Sequence, residues 1–462
     1  MGVLQAVAAP RTLTVAFAAA LTVWWVWFLT HLPWLGLSEQ VSIPTILASW
    51  ALALFIGAGA LRRSGLNQSQ TLTTSAVAGF LSSLLGLLIL GSKLTTSAGL
   101  SAPVELRPAA ALMILGFLSI GLVLGLLAGF GGAKGPAFPH HNVSDQRWLG
   151  RFAVLTVFAV VPLLVVGGLV TSSNSGMAVP DWPNTYGTNM FLYPLGPRAA
   201  PSIFLEHSHR LFGTFVGLTA IALFFLTLRH SDRRFLWFLA GLALFLVIAQ
   251  GLLGGFRVLQ GSTDAATDAR WSRVVHGVLA QFIFCIYVIL AVRLGVRYQH
   301  VRQQAEAGTL EFGHGSKQKL LRVFSAAAMH ATLLQLVFGA MYRHTRAPHA
   351  LWAHIGFSVI VVLMALLAGF AARTIRFSDT VEQFVRRVAL LTLICVTFQF
   401  LLGWVVLMLG GTKPDPDSVA QVLLRSAHHA NGAALLALVT VLMMWGRALS
   451  PRKLAPVAPV TA

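Results

Sequence analysis

Apolar residues along this chain gather in long unbroken runs and do not alternate with polar ones. Twelve runs stand out, at roughly 13–30, 45–61, 75–91, 110–130, 152–170, 206–228, 234–256, 273–295, 320–341, 351–372, 387–410 and 424–446. Runs of about 18 or more apolar residues predict helices that cross a hydrocarbon core of about 30 Å, some of them tilted. Strands of a membrane barrel would alternate apolar and polar positions, and these runs do not. The polar segments between runs set the direction of threading. With the N-terminus inside, the inner loops hold 22 of the 33 Lys and Arg residues, among them Arg62, Arg63, Lys134, Arg147, Arg151 and the cluster from Arg293 to Arg322. Basic residues hold cytoplasmic loops in place, so the expectation is a bacterial cytoplasmic membrane protein with both termini in the cytoplasm.

Composition sharpens this picture. Of 462 residues 56% are hydrophobic and 10% charged, and the mean hydropathy is +0.76. A soluble domain carries about 25% charged residues. A soluble globular enzyme, a disordered chain and a disulfide scaffold are therefore excluded. The net charge of +19 would suggest nucleic acid in a soluble protein. Here the inner loops account for it, and the expected partner is membrane lipid, with no nucleic acid. Cys285 and Cys395 lie inside apolar runs and read as small buried hydrophobes, not as a disulfide or a metal pair. The first run has no convincing cleavage site and is kept as a membrane helix.

The segment 131–151 is rich in Gly, Pro and polar residues. It separates four featureless spans from eight that carry nearly all the unusual residues. The expected division is an accessory four-helix region at 1–140, a first four-helix bundle at 141–300 and a second at 301–462. The bundles repeat weakly: Gln250-Gly-Leu-Leu-Gly254, Gln335-Leu-Val-Phe-Gly339 and Gln399-Phe-Leu-Leu-Gly403 share Q-x-x-x-G. Taken alone the motif reads as close helix packing. As a sign of duplication it says more, giving two copies of a four-helix unit in the same orientation, related about the membrane normal. The fold class expected is all-α: a polytopic membrane protein of about twelve transmembrane helices, with a core of two pseudo-symmetric four-helix bundles.

Four of the fifteen histidines form a pattern. His209, His276, His354 and His428 each sit a few residues inside the outer end of an even-numbered core helix, so all four share one depth on one side. A single membrane histidine is more often a packing residue than a ligand. Four at matching depth are much harder to explain by packing. Two facing imidazoles inside a four-helix bundle hold a haem iron well. Zinc would call for Cys or carboxylate ligands that are missing at that depth. Two pairs imply two haem sites: His209 with His276, and His354 with His428. His207 and His429 are register alternatives, His429 the more serious one. His330, mid-span, reads as packing. Glu206, three residues before His209, shares its helix face. The matching positions are Arg273, Leu351 and Arg425, so one repeat alone has a carboxylate beside its histidine. That asymmetry suggests one site for chemistry and one for electron storage, although a helix N-terminus also favours a carboxylate without any chemistry. Arg210, Arg257, Arg343 and Arg346 lie near the same rim. They are candidates for haem propionate contacts, with interfacial anchoring the simpler reading of each. The outer loop 171–205 is stiffened by Pro180, Trp182 and Pro183 and is long enough to lid the first site.

On these residues the chain resembles the haem A synthases of respiratory oxidase assembly. The stretches that carry the resemblance are Gly167-Gly-Leu-Val-Thr171 with Ser175-Gly-Met-Ala-Val-Pro-Asp-Trp-Pro183; Glu206-His-Ser-His-Arg210; Gly254-Gly-Phe-Arg257-Val258; His276-Gly-Val-Leu-Ala-Gln281; Gly339-Ala-Met-Tyr-Arg343-His344; and Ala427-His428-His-Ala-Asn-Gly432. The resemblance implies oxidation of the C8 methyl group of haem O to the formyl group of haem A. It implies that His209 and His276 hold the substrate haem, that His354 and His428 hold a haem b cofactor, and that Glu206 acts in proton removal or in stabilising a cationic intermediate. The partners it implies are haem O, haem A, a haem O synthase and the oxidase assembly machinery. The chain departs from many bacterial members in lacking a cysteine pair in the loop 171–205, and its four N-terminal spans lie outside the usual eight-helix core. A dihaem b-type electron-transfer cytochrome is the main alternative from another class, and a small-molecule transporter the second.

Overall fold

The computed structural model describes residues 7–96, 104–135, 143–195, 200–261, 268–307, 315–375, 379–410, 412–413 and 415–449. The middle of the 131–151 linker, part of the outer loop, and His140, His141 and His314 lie outside the described residues. Among those described there are thirteen α-helices: α1 Pro10–Thr30, α2 Glu39–Arg63, α3 Gln68–Leu90, α4 Ala110–Ala133, α5 Asp145–Ser172, α6 Pro201–His230, α7 Arg234–Gly261, α8 Asp268–Leu294, α9 Val296–Glu306, α10 Gly315–Thr345, α11 Pro348–Arg373, α12 Asp379–Met408 and α13 Val419–Ala448. Twelve of them, all but α9, are long and apolar enough to cross a membrane. The chain is an all-α polytopic membrane protein. The apolar runs were read short, because the helices continue through polar ends. At 31 residues α10 is about 46 Å long, well beyond a hydrocarbon core of about 30 Å.

Local chemistry starts these helices where the runs begin. Pro10, Pro201 and Pro348 occupy the first helical turns of α1, α6 and α11, where the missing N–H is no loss. Asn67 and Gln70 form a reciprocal capping box at α3, and Ser418 accepts from the Gln421 N–H at α13. Two features were not anticipated. One is the short helix α9, within the basic cluster from Arg293 to Arg322. The other is a two-residue antiparallel pair, β1 Thr95–Thr96 with β2 Glu105–Leu106, after a 3-10 turn at Gly91–Lys93.

The chain forms two compact units, Met1–Ala269 and Arg270–Ala462. In the first, α3 and α4 pack backbone to backbone. A Cβ on Gly125 would overlap the Ser75 carbonyl oxygen, and Gly79 and Gly121 oppose each other in the same way. Helix α1 packs on α2 and α3 and also on α5 and α6. In the second unit α10 packs on α11, α11 on α12, α12 on α13, and α13 back on α10, which closes a four-helix bundle. Its core is apolar and includes Ala365, Val385, Leu435, Leu442 and Met443. Cys285 of α8 approaches Thr440 of α13, and Cys395 meets Asn431, so both thiols are buried and free.

Candidate functional site

Glycines on one helix place the histidines of the next. A Cβ on Gly167 of α5 would stand 3.0 Å from Cε1 of His209 on α6. Gly339 of α10 stands in the same relation to His354 on α11, at 3.0 Å, and Gly403 of α12 to His428 on α13, at 3.2 Å. In each case the imidazole lies in the space that a side chain would fill. The residue four positions earlier completes the cradle. A helical carbonyl at position i is screened by the side chain at i+4, so a glycine there leaves its second lone pair open. His354 Nδ1 donates to the Gln335 carbonyl at 3.2 Å, and the Gln335 amide donates to the His354 carbonyl at 2.7 Å. A carbonyl can only accept, so Nδ1 carries the proton and Nε2 is left as the bare nitrogen. The Leu163 carbonyl lies against His209 in the corresponding place. At His428 the Gln399 side chain does the work, its amide nitrogen 3.3 Å from both ring nitrogens. Gln399 is itself held by Asn431, which donates to its oxygen at 2.8 Å and to the Cys395 carbonyl at 3.0 Å.

The rings of His354 and His428 face one another within the second bundle, centroids 6.2 Å apart and planes at 72°. Two imidazoles that share one metal would sit about 6 Å apart, centroid to centroid. The spacing therefore fits an iron held between them. It is the His428 ring, one residue before His429, that takes part in this pair. Among the described residues no three His, Cys, Asp or Glu side chains gather into a metal-holding group. A metal here needs most of its ligands from elsewhere, which a porphyrin supplies. His276 stands on α8, in the second unit, half-buried.

Arginines crowd the end of the second bundle at which α11 and α13 begin. Arg346, Arg425 and Arg273 lie within electrostatic reach of Arg343, with Asp415 as counter-charge. Arg425 also donates to the Gly410 carbonyl at 2.8 Å. Such a cluster is a natural place for carboxylates.

In the first unit the charged residues are engaged with the outer loop. Glu206 is 4% exposed. Its Oε1 accepts from Arg210 at 2.8 Å and its Oε2 from the Val179 N–H at 2.9 Å. Arg210 donates further to the carbonyls of Val179, Asp181 and Asn184 at 2.7–2.9 Å. Four of its five N–H groups are spent, and only Nε remains for another acceptor. Arg257 donates to the Gly176 carbonyl at 3.1 Å. The Asp181 carboxylate accepts from the N–H groups of Tyr186 and Gly187, both at positive φ. The Trp182 indole lies on Gly255 of α7, where a Cβ would overlap the ring. His207 is turned to the same loop, 3.2 Å from the Thr185 hydroxyl and against the Tyr193 ring. His330, read as packing, is instead exposed and donates to the Ala326 carbonyl of its own helix.

Comparison with known proteins agrees with the resemblance read from the motifs. Residues 150–360 match a family model described as cytochrome oxidase assembly protein. Similar proteins include the heme A synthase of Shouchella clausii, 35% identical over 123 residues, covering 26% of this chain and 38% of the relative. That of Lysinibacillus sphaericus is 28% identical over 205 residues, covering 44% and 60%. That of Beijerinckia indica subsp. indica is 29% identical over 231 residues, covering 44% and 59%. The chain thus spans 38 to 60% of the length of these relatives.

Proposed function

From a chain related to the haem A synthases over residues 150–360, we propose a membrane oxidoreductase of haem A biosynthesis that oxidises the C8 methyl of haem O to the formyl of haem A. The observation that carries the proposal is the facing pair His354–His428, each ring cradled over a glycine, with the same cradle repeated at His209. In this reading His354 and His428 hold a haem b, and His209 is a ligand of the substrate haem. Arg343 and its neighbours are the propionate contacts of the second site. Bound haem supplies the redox chemistry that a protein side chain cannot.

The residues of the chain do the rest. The cradles at His209 and His354 fix the tautomer of the imidazole, and those at His209, His354 and His428 fix its position, before any ligand arrives, which lowers the ordering cost of binding. Glu206 is the proposed proton acceptor. Its two donors, Arg210 and the Val179 N–H, tie the proposed proton acceptor to the loop. The aromatic loop packed over this rim excludes water from it.

Extraction of pigment after expression with a source of haem O tests the proposal. Haem A in the extract is the expected result. Unchanged haem O would overturn it and favour the second reading, a dihaem electron-transfer cytochrome, for which the His354–His428 pair alone would suffice.

A further inference from the structure

The four N-terminal helices precede the segment that matches the family model, and nothing in the reaction proposed above uses them. We infer that they clamp the outer loop onto the rim carrying Glu206 and His209, so that α1–α4 and the hairpin after α3 serve as the fixed jaw of a loop clasp. The contacts that define the clasp are independent of the proposed function. The consequence for catalysis rests on it.

Two sets of contacts make the jaw. Along the membrane span, α1 presents an aromatic seam to α6. Trp24 packs on Phe212 and Phe215 with centroids 5.8 and 4.9 Å away, and Phe28 stacks on Phe204 at 5.6 Å. Phe204 lies two residues before Glu206, and Phe212 three after His209. The seam therefore fixes the back of the helix whose front holds both. Such offset and edge-on pairs contribute beyond their buried area.

At the outer end the turn and hairpin reach the loop itself. Gly91 lies so close beneath the Phe191 carbonyl that a Cβ would overlap its oxygen. The Thr95 hydroxyl donates to the Leu192 carbonyl at 2.7 Å. Arg107 closes the hairpin behind it, its Nε donating to the Thr95 carbonyl at 3.2 Å. The next loop residue, Tyr193, stacks on Tyr186 at 5.7 Å and packs on His207 at 5.6 Å. A continuous line of contacts thus runs from the hairpin to the helix that bears Glu206. The loop is gripped on one side by Thr95 and Gly91 and on the other by Glu206 and Arg210. Releasing either grip shifts the local opening equilibrium of the loop.

A thiol reporter under the loop reads that equilibrium. Val179 is fully buried there, and the native thiols at Cys285 and Cys395 are buried too. The full-length purified chain carrying Val179→Cys is reacted with a bulky maleimide, alone and with added substitutions. Thr95→Val removes one hydrogen bond and should speed labelling roughly 2- to 12-fold. Gly91→Leu forces a side chain into the contact with Phe191 and should speed it about 5- to 150-fold. Leu112→Ala, on the exposed face of α4, should leave the rate unchanged. Unchanged labelling in both Thr95→Val and Gly91→Leu overturns the clasp, as does equal acceleration by Leu112→Ala, which would mean general loosening. Haem O conversion by the same proteins separates the two readings. Faster labelling with normal conversion keeps the clasp and removes this rim from the reaction, whereas slow labelling with lost conversion overturns the clasp and leaves the proposed function standing.

Discussion

His354 and His428, on helices α11 and α13, turn their imidazoles toward each other with ring centroids 6.2 Å apart. Two ligands on one metal need that spacing, and two packing residues do not. Replacing either with alanine should abolish a low-spin b-type signal in the reduced-minus-oxidised spectrum. His429→Ala should keep it. A signal that survives His354→Ala, or vanishes with His429→Ala, would reassign the ligands.

The hydrogen-bond line Cys395–Asn431–Gln399–His428 touches no ligand beyond its last member. Partners of this kind orient a metal-binding imidazole, and their loss costs about 10- to 100-fold in affinity. Asn431→Ala should weaken haem retention on dilution by that order and shift the midpoint potential, while leaving the helix content seen by circular dichroism intact. Retention equal to the parent protein would make the line a packing feature.

Glu206→Gln should leave both haems bound and stop formyl formation, because the amide cannot take the proton. Arg210→Ala should do more damage. It leaves the Glu206 carboxylate buried with a single donor and frees three loop carbonyls. Breaking a buried pair costs about 3–5 kcal/mol. A fall in thermal stability of the first unit, together with proteolytic cleavage in 175–187, is the expected readout. Normal turnover by Glu206→Gln would remove the proposed role.

Acid should loosen the C-terminal end of α1. Burial pushes the His31 imidazole below its ordinary value of 6.5, against the pull of its bond to the Trp27 carbonyl. The folded state thus favours neutral His31, and the unfolded chain takes up the proton first. This contribution to stability is full above pH 6.5 and is lost as pH falls through the lowered folded value. Melting temperature should drop between pH 7.5 and pH 5, and His31→Gln should flatten that part of the profile.

Much of this was legible in the chain. Hydropathy gave twelve spans because lipid demands them, and four histidines stood out because they recur near the start of every second core span. The Q-x-x-x-G motif was visible too, but its meaning was not. It reads as packing until the partner helix is known, and that partner lies 19 to 29 residues further along. The cradle at Gly167 lacks the glutamine, because Leu163 stands where Gln335 and Gln399 do. The loop anchors of Arg210 escaped notice because they are main-chain carbonyls, which every residue has. The docking of α1 was hidden for a different reason. In a membrane, aromatic residues that face lipid and those that face a helix look alike in sequence.

The cradles at His209 and His354 are built from a peptide oxygen and from a missing side chain. Neither oxygen can be deleted by a codon change at position 163 or 335. Tolerance to mutation is therefore uneven along these helices: neighbouring positions are free to drift, and vulnerability is concentrated in single glycine codons. Such a grip survives gene duplication well, since the two halves can diverge in nearly every side chain and still present an imidazole in the same pose.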